Sequence, residues 1–356
     1  MVYYAIYKNV NFDQSKIIGV LMSEFEEYKK LGEPDKREKS EIWETAIGLQ
    51  KVDGLKPSKY LIHTAKSHIE GDITFEDVKN QLFSYYQEKP AKTDSEKEEL
   101  EADIVSARIA EILSEKAFSL SFVEFISIHK RLFDFAGTIR SYNIEKKEWV
   151  LDGKSVTYGN HPNIKAYIEY DLQEEKKFSY KGLNKEEILN HIAEFTSRIW
   201  QIHAFGEGNT RTVAVFLIKY LRTLGFDIDN TLFAENSWYF RNSLVRANYV
   251  DYANNVYATN EFLVKFLENL LFNGKNWIIF LSSSSFNQSP VLPTAGSSFC
   301  TLALIEFATS VGSLRSLIFA ILYQSSASDK SEEVLRSNSP PIPCFKREST
   351  ALLKYF

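Results

Sequence analysis

The loop "IHAFGEGNTRT", residues 202–212, joins two apolar segments whose periodicity predicts buried helices. A simple connection between helices needs one glycine and something polar. This motif loop instead holds a histidine, a glutamate, two glycines, an asparagine and an arginine within nine residues. Such a set of groups is suited to binding phosphates, so the motif loop marks a candidate functional site within a helical core.

The first half of the motif loop carries a candidate base and a candidate metal ligand. An imidazole such as that of His203 ordinarily titrates near pH 6.5 and can accept a proton at neutral pH. Phe205 is expected to turn back into the core and fix the loop. Glu207 is a single carboxylate, and one carboxylate together with substrate phosphates is how proteins usually hold Mg²⁺.

The second half predicts an anion site at a helix N-terminus. Gly206 and Gly208 let the backbone approach a ligand closely. Asn209 begins the next helix, where its side chain can cap free amides or bind a phosphate oxygen. Those amides and the helix dipole favour an anion, and Arg211 in the first turn is expected to face it. The alternative is an ordinary connection with solvated polar residues and His203 satisfied in the core.

Composition and charge restrict the class of protein. The 356 residues are enough for two or three domains, and 44% hydrophobic with 25% charged residues is ordinary for a soluble globular protein. A net charge of −5 without a Lys/Arg run gives no sign of a nucleic-acid partner. The two cysteines, Cys300 and Cys344, exclude cysteine sites from the first 299 residues. Since the N-terminus lacks a signal-peptide pattern, we expect a reduced, cytoplasmic protein.

Three regions are predicted along the chain. Residues 1–90 are expected to form a small helical domain, residues 91–275 the main helical domain, and residues 276–356 a Ser/Pro-rich tail of low charge. In the first region, Thr74 with Asp77 three residues later predicts a helix start. Helices that follow residue 160 are predicted over 161–175, 185–203, 209–224, 236–248 and 258–272.

One segment of the main domain differs from its helical surroundings. The stretch "EKKEWVLDGKSVTYGN", residues 145–160, predicts a β-hairpin around the turn pair Asp152-Gly153. Trp149, Val150 and Leu151 form the first predicted strand, and Val156, Thr157 and Tyr158 form the second.

The tail has a different composition from the rest of the chain. Its apolar stretch 299–323 is long enough to raise the question of a membrane span. Glu306 and Arg315 fall inside that stretch, and inserting such a charge costs roughly 2.5 to 3.5 kcal/mol near the bilayer centre. A membrane span is therefore disfavoured. A poorly ordered tail and a shifted or fused reading frame stay open, and no function is assigned to this region.

The motif loop resembles the core motif of the Fic (Fic/Doc) family, His-x-Phe-x-(Asp/Glu)-Gly-Asn-Gly-Arg followed by a second arginine. The matching residues are His203, Phe205, Glu207, Gly208, Asn209 and Arg211. Upstream, "HKRLFDFAGTIR" (129–140) is similar to the family's helix leading into its flap. Downstream, "NSWYFRNSLVRANY" (236–249) is similar to the helix that closes its nucleotide site. The resemblance spans roughly residues 100–272.

This resemblance implies a mainly α fold, a Fic-type helical bundle with one β-hairpin flap beside the active site, preceded here by a small helical domain. Most family members transfer AMP from ATP to a Ser, Thr or Tyr hydroxyl of a target protein. By resemblance, His203 would take the hydroxyl proton and Glu207 would hold Mg²⁺. The nucleotide would be bound by Phe205, Gly206, Gly208, Asn209, Thr210 and Arg211.

By the same resemblance, residues 145–160 are a flap segment that would pair with an extended stretch of the target protein as an added strand. Val156, Thr157 and Tyr158 are the predicted target-binding residues. A purely structural hairpin is the alternative. The sequence leaves a homodimer open.

Two positions depart from the family pattern. Thr210 stands where a second glycine is usual, and its β-branched side chain could narrow the groove. Ala214 stands where the second arginine, which grips the γ-phosphate in the family, is usual. Transfer of another nucleotidyl group, or of a phosphoryl group as in the Doc branch, therefore stays open. Two further alternatives stay open: the protein could remove AMP from a modified target, or it could be a catalytically degenerate binding module.

The N-terminal region carries a candidate inhibitor. The run "TAKSHIEGD", residues 64–72, resembles the inhibitory helix of Fic antitoxins, Ser/Thr-x-x-x-Glu-(Gly/Asn). Glu70 and Gly71 fit this pattern, whereas Lys66 replaces its Ser/Thr. Because the arginine that usually pairs with the glutamate is missing, the resemblance implies that Glu70 pairs with Arg211 instead. The preceding "WETAIGLQKVDGLKPSKYL" (43–61) is also similar to an antitoxin-type domain. A self-inhibited AMP transferase is the leading hypothesis.

Overall fold

The computed structural model describes residues 34–134, 138–228, 231–274 and 276. Within these residues the chain is mainly helical and has no β-strand, so the predicted mainly α fold is confirmed. The α-helices are α1 (Pro34–Gly48), α2 (Lys59–Glu70), α3 (Phe75–Glu88), α4 (Asp94–Ser114), α5 (Phe122–Leu132), α6 (Ile164–Lys177), α7 (Lys185–Ile202), α8 (Asn209–Thr223), α9 (Thr231–Asn248) and α10 (Glu261–Phe272). Short 3-10 helices cover Leu49–Asp53, Trp149–Leu151, His161–Asn163 and Tyr252–Asn254.

The predicted tail lies outside the described residues apart from Asn276, and this includes the apolar stretch 299–323. Inside the described ranges, none of the helices has the length and apolar character needed to cross a bilayer.

Local side-chain chemistry sets the helix ends. The Thr74 hydroxyl accepts from the Asp77 N–H at 3.2 Å, and the Asp77 carboxylate accepts from the Thr74 N–H at 2.8 Å. This capping box confirms the predicted start of α3. The same reciprocal arrangement begins α4 at Thr93 and α7 at Asn184. Gly71 ends α2 in the left-handed region, with φ of 88°.

The N-terminal helices pack into the same core as the motif loop. α1 packs against α4 and α9. Gly48 permits a close approach to α9, because a Cβ atom there would lie 2.1 Å from the Ala234 Cα atom. Trp43 of α1 belongs to the same buried hydrophobic cluster as Phe205 of the motif loop. The 3-10 segment Leu49–Asp53, which directly follows α1, lies against α8.

Neither strand of the predicted hairpin is formed, which corrects the sequence-based prediction: residues 149–151 form a 3-10 turn, and Val156, Thr157 and Tyr158 lie in irregular chain. Trp149–Leu151 is a 3-10 turn, closed by a hydrogen bond from the Glu148 N–H to the Lys154 carbonyl at 2.9 Å. Val150 and Leu151 are both buried. A strand would direct two neighbouring side chains to opposite faces, so burying both in one core favours a helical turn.

The turn of the flap segment is as predicted. Asp152 and Gly153 both have positive φ, 54° and 82°, the backbone region that an Asp-Gly pair favours in tight turns. The Lys154 ammonium then lies 2.6 Å from the Asp251 carboxylate. The flap segment is thus a compact loop tied to the residues that follow α9.

A buried histidine joins α5 to the motif loop. His129 is stacked on the Phe205 ring, with centroids 3.5 Å apart, and its Nδ1 lies 3.0 Å from the Thr212 hydroxyl. Burial lowers the pKa of His129 to about 3, and the charge of Arg211 contributes to that shift. The unfolded chain therefore takes up a proton near pH 6.5 that the folded chain does not.

We predict that His129→Gln weakens the pH dependence of stability. Because the folded pKa is lowered, stability falls as pH falls below 6.5, by up to about 1.4 kcal/mol per pH unit for one such histidine. Urea unfolding of both proteins at pH 7.5 and pH 5 measures this effect. The exposed His63 supplies the control, and His63→Gln should retain the wild-type dependence. An unchanged pH dependence in His129→Gln would contradict the assignment.

Candidate active site

The backbone places His203 in an unusual conformation at the end of α7. Its φ and ψ are 50° and 58°, and its N–H donates to the Trp200 carbonyl at 3.0 Å. A non-glycine residue in the left-handed region costs roughly 1 to 2 kcal/mol. The imidazole is 4% exposed and packs against the Tyr158 ring, with centroids 4.2 Å apart.

The His203 imidazole is neutral and unpaired. Among the described residues, neither ring nitrogen has a hydrogen-bond partner. Burial, followed by the positive charges of Lys146, Arg241 and Arg140, holds its pKa well below 6.5. The alternative of a satisfied core histidine is therefore wrong, and a free nitrogen lone pair is what a proton acceptor needs.

Arg140 fixes the backbone around His203. Its Nε donates to the His203 carbonyl at 2.7 Å, and its Nη1 donates to the Tyr142 carbonyl at 2.6 Å. Its Nη2 donates to the carbonyls of Ile202, at 3.1 Å, and Gly159. One guanidinium thereby joins the end of α7 to Gly159 of the flap segment and to Tyr142, which precedes that segment.

The motif loop is closed internally by Asn209. The Asn209 Oδ1 accepts from the Phe205 N–H at 3.0 Å, and its Nδ2 donates to the Phe205 carbonyl at 2.7 Å. The Phe205 side chain is buried against His129, which confirms the expected turn into the core. The Asn209 side chain does not cap α8, however, because Gly208 is the N-cap residue.

The two glycines of the motif loop face different neighbours. Gly208 has φ of 72°, and a Cβ atom there would lie 2.4 Å from the Phe133 ring. A Cβ atom at Gly206 would lie 3.2 Å from the Tyr142 hydroxyl. Gly208 therefore meets two requirements at once, a left-handed backbone and a close approach to an aromatic ring.

Thr210 is part of the core. It is 6% exposed, and its hydroxyl accepts from the Trp200 Nε1 at 3.0 Å. The expectation that this side chain narrows a groove is therefore wrong. The neighbouring Ala214 is completely buried as well.

Arg211 does not face an open anion site, which corrects a second expectation. Its side chain is fully buried, and its guanidinium lies 4.6 Å from the centre of the Phe133 ring. Nη1 donates to Gln50 Oε1 at 3.0 Å, and Nη2 donates to Glu101 Oε1 at 2.9 Å. Nη2 also lies 2.7 Å from the Asp53 carboxylate. Three polar groups from the 3-10 segment and α4 thus surround this cation.

The predicted pair between Glu70 and Arg211 is wrong. Glu70 lies 2.7 Å from the Lys36 ammonium, and its side chain is 39% exposed. The N-terminal carboxylate beside Arg211 belongs instead to Asp53. Asp53 is followed by Gly54 with φ of 72°, as Glu70 is followed by Gly71. The stretch 43–61 also contains an acidic residue followed by glycine, Asp53 and Gly54. This pair does not fit the antitoxin pattern, because aspartate has a shorter side chain than the glutamate that the pattern requires.

Glu207 is accessible to a metal ion. Its side chain is 40% exposed and lies 3.4 Å from the Lys146 ammonium of the flap segment. No group of three or more His, Cys, Asp or Glu side chains suited to a metal occurs in the described part of the chain. A single carboxylate still fits Mg²⁺ where phosphates supply further ligands.

The predicted target-binding residues lie close to His203. Val156 is buried, and Tyr158 donates to Glu148 Oε1 at 3.1 Å. Thr157 is exposed, but its carbonyl accepts from Gln201 Nε2 at 3.1 Å. Tyr158 packs on the ring of the candidate base, and none of the three predicted target-binding residues lies in a β-strand.

Sequence reasoning did not single out several charged residues of the site. Lys146 and Glu148 lie in the flap segment, whereas Arg140 and Arg241 lie inside the two flanking stretches quoted for the family resemblance. Spacing does not distinguish them from solvated charges. The available signal was their position in the stretches that flank the motif loop in the family resemblance.

Comparison with known proteins identifies one region. Residues 119–221 match the model of the Fic/DOC family. No curated protein and no solved structure matches the chain.

We predict that Gly208→Ala destabilises the fold more than Gly225→Ala does. Both glycines have positive φ, but a Cβ atom at Gly225 meets nothing within 4 Å. Gly225→Ala should lose about 1 to 2 kcal/mol from backbone strain. Gly208→Ala should lose roughly 1 to 3 kcal/mol more, because its methyl group meets the Phe133 ring. Urea unfolding gives both values, and equal losses would show that the Phe133 contact has no effect.

Proposed function

The chain is a Fic/DOC family protein, and we propose that it is a Mg²⁺-dependent AMP transferase acting on a hydroxyl side chain of a target protein. The observation that carries this proposal is the state of His203. Its imidazole is buried, neutral and without a hydrogen-bond partner, directly before the loop that leads into α8. A structural histidine would be expected to satisfy at least one ring nitrogen.

His203 acts as the base in this proposal. One ring nitrogen takes the proton of a Ser, Thr or Tyr hydroxyl as the hydroxyl oxygen attacks the α-phosphorus of ATP. A P–O bond forms to the target, and the bond to pyrophosphate breaks. The bound triphosphate favours the protonated imidazole, because a nearby negative charge raises the pKa of a histidine. The low pKa before binding is thus compatible with proton acceptance afterwards.

The start of α8 supplies the phosphate site. The first turn of a helix has unpaired N–H groups, and the dipole favours an anion there. Glu207, the exposed carboxylate of the motif loop, is the residue that would hold Mg²⁺ together with the phosphates. The ion, when bound, neutralises charge on the transferred group. Lys146 would have to leave Glu207 for this ligation.

We propose self-inhibition through Asp53 rather than Glu70. Asp53, Glu101 and Gln50 hold the Arg211 guanidinium inside the core, where it is fully buried. A guanidinium held in this way is not available to phosphates. Release of the Asp53 contact would remove one of the charges that retain it.

Transfer of a different group is the second candidate function. It is supported by the burial of Arg211 and by the absence of a cation at the fully buried Ala214. Either feature could change how the triphosphate is oriented. In that case the donor could be another nucleotide, or the transferred group could be a phosphoryl group.

Label transfer from ATP tests the reaction. We expect label from α-labelled but not γ-labelled ATP to appear in proteins of a cell lysate when Mg²⁺ is present. His203→Ala should reduce transfer by about 10²- to 10⁴-fold, because it removes the base. The exposed His63 provides the control, and His63→Ala should transfer at the wild-type rate.

Two other results would each decide against AMP transfer from ATP, and a third would decide against the role of His203. Label from the γ position would support a phosphoryl group. Transfer only from GTP, CTP or UTP would support another nucleotidyl group. Undiminished transfer by His203→Ala would exclude that histidine as the base.

The inhibitory contact is tested by comparing Asp53→Asn with Glu70→Gln. We expect Asp53→Asn to increase transfer by about 5- to 150-fold, the usual range for coupling between sites. Glu70→Gln should have little effect, since Glu70 pairs with Lys36 at the surface. An increase in transfer by Glu70→Gln, with little effect of Asp53→Asn, would instead support the inhibitory role that the sequence predicts for Glu70. Equal free energies of unfolding for wild type, Asp53→Asn and Glu70→Gln would exclude a general loosening of the fold as the cause.

A further inference from the structure

Arg241 of α9 has a buried donor without an acceptor. Its Nη1 is buried and makes no hydrogen bond within the described residues. Its Nη2 lies 2.7 Å from Glu148 Oε2 in an ion pair. Leaving a buried polar group unpaired costs about 1 to 3 kcal/mol. Such a donor indicates a ligand that completes it.

Arg241 lies between the two halves of the candidate active site. On one side, its partner Glu148 accepts a hydrogen bond from Tyr158, whose ring packs on His203. On the other side, its charge interacts with Asp53, the partner of Arg211. Burial acts to lower the pKa of Arg241, but Glu148 and then Asp53 outweigh this effect and raise it. The guanidinium therefore remains charged, in a side chain that is 17% exposed.

The other cations around the site are already engaged. The Arg211 Nη1 and Nη2 contact Gln50, Glu101 and Asp53. Arg140 donates to backbone carbonyls, and Lys146 lies against Glu207. A triphosphate entering beside α8 would bring several negative charges into this region. Arg241 combines a retained charge with a free donor there.

We propose that Arg241 binds the terminal phosphates of a nucleoside triphosphate through Nη1, with Glu148 as the positioning residue that orients its guanidinium. This inference rests on the proposed function, because it assumes a nucleotide at the start of α8. It assigns the preference for a triphosphate over a monophosphate to a residue of α9 rather than to the motif loop.

Calorimetric titration of the full chain with ATP, ADP and AMP tests the inference. Arg241→Gln should weaken ATP binding by about 10- to 100-fold, the effect of one charged hydrogen bond. AMP binding should change by less than about twofold, since the missing contact is to the terminal phosphates. Equal weakening of ATP and AMP binding would indicate a structural role and overturn the proposal. An Arg241→Gln variant that leaves both the ATP and the AMP affinity unchanged would overturn the proposal as well.

Arg246 is a matched control on the same helix. Arg246 is buried, and its Nη1 donates to the Tyr257 carbonyl. Arg246→Gln should therefore leave the ratio of ATP to AMP affinity at the wild-type value. A change in that ratio as large as in Arg241→Gln would overturn the proposal, because any buried arginine of α9 would then have the same effect.

A second variant covers the case in which Arg241→Gln fails to fold. Glu148→Gln keeps the guanidinium and removes only the negative charge of its partner. Because Glu148 orients the guanidinium, we expect Glu148→Gln to weaken ATP binding while AMP binding stays within about twofold of wild type, whereas equal weakening of both or an unchanged ATP affinity would contradict the proposal. A wild-type chain that binds ATP and AMP equally would overturn this inference alone. A chain that binds no nucleotide would overturn the proposed function too.

Discussion

The buried guanidinium of Arg211 connects three parts of the chain that are distant in sequence. Asp53 and Gln50 approach it from the 3-10 segment after α1, and Glu101 approaches it from α4. Removing one partner of a buried ion pair typically costs about 3 to 5 kcal/mol, because the remaining charge is left without compensation. The N-terminal helices are therefore held to the helix that begins at the motif loop by electrostatics as well as by apolar packing.

The same contact shapes the motif loop. The Arg211 guanidinium lies over the Phe133 ring, and that ring occupies the space that a side chain at residue 208 would need. Glycine at this position lets α8 begin immediately after the loop. On the opposite side, Arg140 holds the carbonyl of His203 and keeps the strained residue in place. Two arginines thus position the motif loop. Arg211 acts from the first turn of α8, and Arg140 acts by binding the backbone carbonyl of His203.

Local features of the fold were predictable, whereas partners distant in sequence were not. The cap at Thr74, the end of α2 at Gly71 and the inward turn of Phe205 depend on neighbours a few residues away. The partner of Arg211 depends on how α1 packs on α9, which no spacing within the sequence encodes. For this reason the sequence pattern indicates Glu70 and gives no sign of Asp53. The predicted first strand at 149–151 was wrong for a related reason, since the core buries two adjacent side chains together.

Asp53 belongs to the same polypeptide as the helix it contacts, and this has a quantitative consequence. An intramolecular partner acts at an effective concentration, on the order of millimolar for short flexible connections. Here the packing of α1 against α4 and α9 fixes the geometry further. Occupancy of the contact between Asp53 and Arg211 is thus independent of how much protein a cell makes. A contact with a separate chain would be lost on dilution, whereas this contact changes only when the local packing changes.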